Sequence, residues 1–316
     1  MKTIDIVLPV YNEEDGLNGF HAALVEALAP LEARYAFNIC YVLDRSTDRS
    51  VDVLTRLALR DPRVTVIHLA RRFGHQMSLV AGIDHSRGDA VIMMDCDLQH
   101  PPAVIAELLA RFEQGYDIVH AVRQYDRQIG WFKRWSSRAF YRLQNALSPI
   151  EMQSGAADFR LISRRVAHLF QTAVREQNQF LRGLFQWVGF RSTTVTFVSP
   201  PRHTGRTKYH MLRLVAFSVT GILSFSKVPL RVATLLGLCI SVLSVLYGLW
   251  LIGRFFAGYM PPGYTSLIVM ILFMGGLQLT VLGILGEYLG SVFDEVKRRP
   301  LYVVDETLRS GGDARG

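Results

Sequence analysis

Two long stretches without charge most constrain how this chain can fold. No charged residue occurs in residues 232–252 or 255–286, and only Gly253 and Arg254 lie between them. About twenty apolar helical residues cross a hydrocarbon layer about 30 Å thick. The pattern predicts two transmembrane helices, the second interrupted near its start by a turn at Pro261-Pro262-Gly263. A buried hairpin in a soluble core is the alternative.

The basic residues indicate an orientation. The formal net charge is +8, and lysine and arginine gather outside the uncharged pair. Those before it are Arg202, Arg206, Lys208, Arg213, Lys227 and Arg231, and those after it are Lys297, Arg298 and Arg299. An excess of lysine and arginine marks cytoplasmic segments. Residues 1–5 run directly into a strand-like segment, so no signal peptide is predicted. We expect a multi-pass protein of the inner (cytoplasmic) membrane with its N-terminal domain and both termini in the cytoplasm.

The N-terminal region alternates short β-branched runs with segments of helical apolar spacing. Predicted strands are residues 4–10, 37–43, 64–69, 90–94 and 118–122. Predicted helices are residues 17–31, 48–58 with Ser46 or Thr47 as N-cap, 74–85, and one from Pro101-Pro102 to about Glu113. Such alternation indicates an α/β fold with a mostly parallel sheet.

Polar clusters follow four of these strands. They are Tyr11-Asn12-Glu13, residues 44–48, residues 95–99 and Arg123. Because ligands of parallel sheets bind beyond the carboxyl ends of the strands, we expect these clusters to form one site.

The predicted organisation has four parts. They are an α/β domain at 1–201, a juxtamembrane amphipathic segment at 202–230, two transmembrane helices at 231–289 and a cytoplasmic tail at 290–316. Residues 209–226 are expected to lie in the membrane interface, with a core helix as the alternative. In the tail, residues 301–304 are predicted to form a short strand, and residues 310–316 are predicted to be disordered.

Cysteine and histidine spacing gives no sign of a disulfide framework or zinc site. Cys40, Cys96 and Cys239 stand far apart, which fits reduced thiols in a cytosolic compartment. The histidines considered as ligands form no recognisable set and are interpreted as surface or hydrogen-bonding residues; they are His75, His100, His203 and His210.

The strongest chemical signal is Asp95-Cys96-Asp97-Leu98-Gln99, which follows a buried strand. Strand alternation is expected to send Asp95 and Asp97 to the same side. Paired carboxylates can hold Mg²⁺ or Mn²⁺, which prefer oxygen ligands and bridge to substrate phosphates. Such an ion neutralises a diphosphate leaving group. Turn or capping aspartates are the alternative.

Several segments, in order along nearly the whole chain, resemble glycosyltransferase family 2. The closer resemblance is to its polyisoprenyl-phosphate glycosyltransferases, the group of the bactoprenol glucosyltransferases and dolichyl-phosphate mannose synthase. The matching segments are residues 7–14, 44–48, 72–76, 95–101, 155–161, 202–209 and 285–290.

This resemblance implies a GT-A nucleotide-sugar-binding domain with specific residue roles. The nucleoside pocket would be lined by Pro9, Tyr11, Glu13 and Asp44. Asp95 would face the ribose or the metal, and Asp97 with Gln99 would hold the metal. One departure affects base selectivity: Leu43-Asp44-Arg45-Ser46 stands where the family has Asp or Asn followed by Asp-Gly-Ser, so Arg45 replaces a glycine. Arg45 is a further candidate to contact the donor.

Asp158 matches the position proposed as a base in the family. A phosphate monoester has its second pKa near about 6, so its oxygen needs little deprotonation at neutral pH. Asp158 can instead orient the sugar or balance the charge of Arg160, and a purely structural Asp–Arg pair is the alternative. Cations expected to meet the acceptor and donor phosphates are Arg123, Arg138, Arg202, Arg206 and Lys208.

The resulting hypothesis is an inverting glycosyltransferase. It would transfer a hexose, first of all glucose from UDP-glucose, to undecaprenyl phosphate with Mg²⁺ or Mn²⁺, and the resemblance implies a homotetramer. A processive polysaccharide synthase is less favoured, because two helices are few for a polymer channel and the Gln-x-x-Arg-Trp signature is missing; Gln186-Trp187 and Arg134-Trp135 do not reproduce it. A non-enzymatic basic membrane adaptor is the remaining alternative. No nucleic-acid motif is present, so no nucleic-acid partner is expected.

Overall fold

The computed structural model describes residues 1–124, 156–177, 179–198, 228–257 and 263–309. These residues fall into two compact units. One is an α/β unit that includes the tail from Arg299 onward, and the other contains two long helices.

The α/β unit is built on one sheet. In the described residues its strands are β1 (Lys2–Val10), β2 (Tyr35–Leu43), β3 (Val64–Leu69), β4 (Ala90–Met93), β5 (Ile118–Gln124), β6 (Ala156–Ser163), β7 (Ser192–Val198) and β8 (Val304–Arg309). They lie side by side in the order β7-β5-β6-β4-β1-β2-β3-β8. β1 pairs in parallel with β2 and β4, β2 with β3, and β5 with β7. β6 runs antiparallel to β4 and β5, and β8 antiparallel to β3. The expected mostly parallel sheet is confirmed.

Helices connect these strands. Those described are α1 (Leu17–Leu28), α2 (Ser50–Arg60), α3 (His75–His85), α4 (Ile105–Glu113), α5 (Arg164–Thr172) and α6 (Leu181–Trp187). A 3₁₀ turn, Ala29–Leu31, extends α1, and another, Pro102–Val104, precedes α4. The five predicted strands and four predicted helices of the N-terminal region are all present, with bounds shifted by a few residues. β6 and β7 are additional.

Two local predictions are wrong. Ser46 and Thr47 do not cap α2, whose N-cap is Arg49. Instead the Ser46 hydroxyl accepts the Asn12 backbone N–H at 3.0 Å, and the Thr47 N–H donates to the Asn12 side chain at 2.8 Å. These bonds fasten the loop after β1 to the loop after β2.

The tail strand also lies later than predicted. β8 spans Val304–Arg309, because those residues pair with β3. In the stretch predicted as a strand, Leu301 is buried and the Val303 carbonyl accepts the Ala70 N–H at 2.9 Å. The tail thus meets the α/β unit before its strand begins.

The core lies on both faces of the central strands. β1 is buried from Ile4 to Val10, as expected for a strand covered on both faces. α3 approaches β1 closely at Gly82, where a β-carbon would overlap the Val7 side chain. Glycine at this position lets the helix carrying His75 lie tightly on the sheet.

The second unit consists of α7 (Val228–Phe256) and α8 (Tyr264–Val296). Two segments are long and apolar enough to cross a membrane: Leu230–Trp250, with a mean hydropathy of 2.2, and Phe273–Val296, with a mean hydropathy of 1.3. Many of their large apolar side chains are exposed. α8 continues past the predicted helix end at residue 289. Residues 209–226, 261–262 and 310–316, for which an interfacial helix, part of a turn and disorder were predicted, lie outside the described residues.

Replacement of Gly82 by alanine tests the close approach of α3 to β1. Overpacking of this kind typically costs about 1–3 kcal/mol, so we expect Gly82→Ala to lower the melting temperature of the purified protein. Gly19→Ala in α1 is the matched control, since open space surrounds a β-carbon there and alanine favours a helix. Equal melting temperatures for Gly82→Ala and the wild type would contradict the close packing.

Candidate active site

A buried carboxylate at the end of β2 organises the loop that precedes α3. Asp44 is only 3% exposed, and its oxygens accept the Phe73 N–H at 2.6 Å and the Gly74 N–H at 2.9 Å. Gly74 has φ +94° and ψ 162°, a conformation almost restricted to glycine. The sharp change of direction there makes His75 the first residue of α3.

The loop after β1 lies beside this turn. The Arg72 guanidinium lies 4.0 Å from the centre of the Tyr11 ring, within cation–π range. The Glu13 N–H donates to the Ser50 hydroxyl at 3.1 Å, which fixes the loop against α2. Pro9 lies in β1, and its carbonyl accepts the Cys96 thiol at 3.3 Å. Pro9, Tyr11, Glu13 and Asp44 therefore lie on neighbouring loops and strand ends.

The loop after β4 is held by a buried histidine. His100 is 3% exposed, stacks on Phe159 with ring centres 5.2 Å apart, and accepts the Asp95 N–H on Nδ1 at 2.9 Å. Burial lowers the pKa of His100, against the raising effect of nearby aspartates. A neutral imidazole with Nδ1 as acceptor therefore positions the Asp95 backbone.

The same loop contains a strained residue. Leu98 has φ +61°, a conformation that costs about 1–3 kcal/mol for most residues, and its side chain packs against the core. The Gln99 N–H donates to Asp97 Oδ1 at 3.0 Å, and Arg123 Nη2 donates to Gln99 Oε1 at 2.8 Å. Arg123, at the end of β5, thus reaches the predicted metal-binding loop.

The residues of this loop fit a magnesium or manganese ion. No three His, Cys, Asp or Glu side chains of the described chain converge on one metal position. Asp95 and Asp97 nevertheless supply carboxylate oxygens, and the Gln99 side chain supplies a carbonyl oxygen, which accepts a hydrogen bond from Arg123. One or two protein carboxylates, completed by substrate phosphates and water, are typical of Mg²⁺ sites. Because β4 ends at Met93, strand alternation does not fix the directions of the two aspartates.

Asp158 reaches the site because β6 is antiparallel to β4. The first residues of β6 lie at the edge where β4 ends, and Met93 pairs with Arg160. Asp158 is 6% exposed and bound by two arginines. Arg182 donates from Nε to Oδ1 at 3.0 Å and from Nη2 to Oδ2 at 2.9 Å, and Arg160 Nη2 donates to Oδ1 at 3.1 Å.

His75 joins the two acidic groups. Its Nε2 lies 3.5 Å from Asp95 Oδ1 and 3.5 Å from Asp158 Oδ2. Burial by itself would lower the pKa of His75, but its hydrogen bond to Asp158 and the charges of Asp95 and Asp158 outweigh burial and raise the pKa. The loop before α3 thus contacts Tyr11 and Asp44 and leads into a histidine that contacts Asp95 and Asp158.

The surroundings of Asp158 favour its charged form strongly. Burial alone would raise the pKa of Asp158, but hydrogen bonds from His75 and Arg182 and the charges of Arg182 and Arg160 hold it well below the ordinary value. Burial lowers the pKa of Arg160 to about 10, which leaves it charged at neutral pH. A carboxylate so stabilised is a poor proton acceptor.

The structure brings together most of the predicted site. Pro9, Tyr11, Glu13, Asp44 and Asp95 to Gln99 lie at the carboxyl ends of β1, β2 and β4, where Arg123, Asp158 and Arg160 join them. Arg138, Arg202, Arg206 and Lys208 lie outside the described residues. Arg45 has φ +20°, in keeping with the glycine it replaces, and donates to the Ala70 carbonyl at 2.7 Å.

Sequence reasoning missed four members of the site: Arg72, His75, His100 and Arg182. Gln179-Phe180-Leu181-Arg182 reproduces the first four positions of the Gln-x-x-Arg-Trp signature, with Gly183 in place of tryptophan. A search for this partial match would have found Arg182. His75 belongs to a segment that carried the family resemblance, but its contacts depend on long-range packing.

Comparison with known proteins gives consistent matches. Residues 5–170 match glycosyl transferase family 2. An uncharacterized glycosyltransferase of Synechocystis sp. is 43% identical over 96% of this chain and 95% of that protein. The SfII prophage-derived bactoprenol glucosyl transferase of Shigella flexneri is 38% identical over 97% of this chain and 98% of that protein.

A solved structure shows a weaker likeness. Glucosyl-3-phosphoglycerate synthase from Mycobacterium tuberculosis, in complex with Mn²⁺, UDP-glucose and phosphoglyceric acid, is 18% identical. The match covers 70% of this chain and 78% of that protein, with a TM-score of 0.45.

Replacement of His100 by phenylalanine tests its support of the Asp95 loop. Phenylalanine preserves the stacking on Phe159 but leaves the Asp95 N–H without its acceptor, which typically costs about 1–3 kcal/mol. We expect a lower melting temperature and weaker binding of a nucleoside diphosphate, measured by calorimetry. His168→Phe, at an exposed position of α5, is the control. Unchanged binding by His100→Phe would exclude this role.

Proposed function

Because the chain belongs to glycosyl transferase family 2 and is a glycosyltransferase, we propose that it transfers glucose from UDP-glucose to the phosphate of a polyprenyl lipid such as bactoprenol. The observation that carries the proposal is the convergence of the Asp95-to-Gln99 loop with the Asp158–Arg182–His75 cluster at one edge of the sheet. In this proposal the Asp95-to-Gln99 loop supplies oxygen ligands for a metal ion bound to the diphosphate. The neighbouring Arg182 supplies positive charge suited to an anionic acceptor. The name of the Shigella flexneri relative supports glucose and bactoprenol.

The donor would lie across the ends of β1, β2 and β4. In this proposal Tyr11 and Asp44 border the nucleoside, and Arg72 covers the Tyr11 ring. Asp95, Asp97 and Gln99 would hold a divalent cation, which would neutralise charge on the departing diphosphate. Arg123, which binds Gln99, adds positive charge on the same side.

Asp158 is proposed to position groups rather than to accept a proton. An attacking phosphate oxygen is already ionised at neutral pH, because the second pKa of a phosphate monoester lies near about 6. Asp158 holds the Arg182 fork and His75 in place, and the Arg182 guanidinium, with His75 beside it, would orient the acceptor phosphate for attack opposite the leaving group, with inversion at the anomeric carbon. Fixing both reactants in this geometry supplies part of the acceleration.

Membrane attachment would bring the enzyme to its lipid acceptor. α7 and α8 contain two segments of sufficient length and apolarity to span the membrane. We propose the inner membrane as the location, with the catalytic domain and both termini in the cytoplasm. Arg202, Arg206 and Lys208, which precede α7 in the sequence, would meet the lipid phosphate. A homotetramer is the proposed assembly on the family resemblance, to be checked by mass measurement in detergent.

A polysaccharide synthase is the second candidate, and one observation favours it. Gln179 and Arg182 keep two fixed positions of the synthase signature, and Arg182 lies in the site. Gly183 replaces the tryptophan, and two candidate membrane helices in the described residues are few for a polymer channel. Extraction of the product into organic solvent separates the candidates, since a lipid-linked monosaccharide is extracted and a long polymer is not.

Transfer of radiolabelled sugar tests the proposal directly. Membranes containing the enzyme are incubated with undecaprenyl phosphate and a panel of UDP- and GDP-sugars, with and without chelator. We expect glucose from UDP-glucose in the lipid extract, and loss of transfer on chelation that Mg²⁺ or Mn²⁺ reverses. Labelled lipid with another donor only would overturn the glucose assignment.

A variant of the metal-binding loop completes this test. Asp97→Asn should reduce transfer by about 10²-fold or more, because it removes a charge from the group that stabilises the leaving diphosphate. Asp52→Asn, at an exposed position of α2, should retain activity. An unchanged rate for membrane-bound Asp97→Asn would discard the metal assignment.

The role of Asp158 can be separated from base catalysis by a double-mutant cycle. We expect Asp158→Asn and Arg182→Lys each to reduce kcat by about 10²-fold. Each removes the bidentate Asp158–Arg182 pair, which positions the cation that would bind the acceptor phosphate. If both act through one unit, the double variant should lose little more than either single variant. If Asp158 is instead the base, Asp158→Asn should reduce kcat far more than Arg182→Lys does. The two reductions should then multiply in the double variant.

A further inference from the structure

The tail that follows α8 binds the far end of α3. Tyr302 Oη donates to Asp84 Oδ2 at 2.8 Å, and Arg175 Nη1 lies 2.7 Å and 2.9 Å from the two oxygens of the same carboxylate. The rings of Tyr302 and His85 lie 6.2 Å apart. The Asp84 side chain is 14% exposed, so these bonds form in a largely shielded place.

The same tail contacts two other segments. The Ala70 N–H donates to the Val303 carbonyl at 2.9 Å, at the start of the loop that carries Arg72. In the segment between α5 and α6, the Gln177 side chain donates to the Arg299 carbonyl. Beyond these contacts, β8 covers the edge of β3. Residues 299–309 therefore contact four elements of the α/β unit: α3, β3, the loop that begins at Ala70, and the segment between α5 and α6.

Three of these four elements lead to a site residue: the loop that begins at Ala70 contains Arg72, the segment between α5 and α6 precedes Arg182 in the sequence, and α3 has one at its first position. α3 begins with His75, and Gln76 beside it accepts the Leu181 N–H at 3.2 Å. The next residue, Arg182, binds Asp158. One series of contacts runs from Tyr302 through Asp84 and α3 to Leu181, the residue before Arg182. Arg175 and Gln177, which precede Leu181 in the sequence, bind Asp84 and the Arg299 carbonyl.

We propose that residues 299–309 are a brace that sets the positions of His75 and Arg182, with Tyr302 as its central positioning residue. The inference rests on the proposed function only for the expected change in kcat. The contacts of the brace belong to the folded chain and can be tested without a substrate.

Tyr302→Phe tests the brace in the full-length enzyme in detergent, since it removes one hydrogen bond and retains the ring. Hydrogen–deuterium exchange should become faster at residues 70–76 and at Leu181, and kcat should fall by about tenfold with little change in the KM for the donor, because small displacements of positioning groups cost rate. Tyr116→Phe, at a half-buried position before β5, is the matched control.

Two further measurements separate positioning from general stability. Asp84→Asn should reproduce both effects, and Tyr302→Phe combined with Arg182→Lys should lose little more kcat than Arg182→Lys alone. A lowered melting temperature with unchanged kcat and unchanged exchange at residues 70–76 would overturn the brace. Exchange is measured without an acceptor, so a failure of the proposed function, seen as a wild-type enzyme that makes no lipid-linked glucose, remains distinct from a failure of the brace.

Discussion

The site depends on one buried carboxylate that is not at its chemical centre. Asp44 accepts two successive backbone N–H groups, and the glycine it binds has a backbone conformation that other residues rarely adopt. This turn directs Arg72 to one side, over Tyr11, and His75 to the other, between Asp95 and Asp158. The loop before α3 and the first residue of α3 thus contact side chains that follow β1, β2 and β4.

Much of this arrangement could be predicted from the sequence, because its signals are local. Apolar runs locate the N-terminal strands, and the polar residues that follow them lie at one edge for purely topological reasons. The match to glycosyl transferase family 2 confirms the GT-A-like α/β fold that the resemblance implied. The residue roles carried over from the family remain predictions.

The missed parts depend on long-range contacts. β6 places Asp158 beside the carboxyl end of β4 because β6 runs antiparallel to both β4 and β5. The local sequence of β6 does not indicate in which direction the strand runs. His100 was interpreted as a surface or hydrogen-bonding residue; it is hydrogen-bonded but buried, where it accepts the Asp95 N–H and stacks on Phe159. Ser46 and Thr47 suit an N-cap by composition, yet bonds to Asn12 from a different loop take precedence.

The electrostatics of Asp158 link stability and catalysis. Its folded pKa lies below the unfolded value of about 3.9, so the ion-pair stabilisation is fully present at neutral pH and is lost only as the pH falls toward the folded value. Removing one partner of such a buried cluster leaves charges without compensation, so we expect Asp158, Arg160 and Arg182 to act as a unit. Protonation of Asp158 during turnover would weaken its bonds to both arginines, which argues against a role as the base. The charge pattern therefore favours an acceptor that arrives already deprotonated, and a phosphate is such an acceptor.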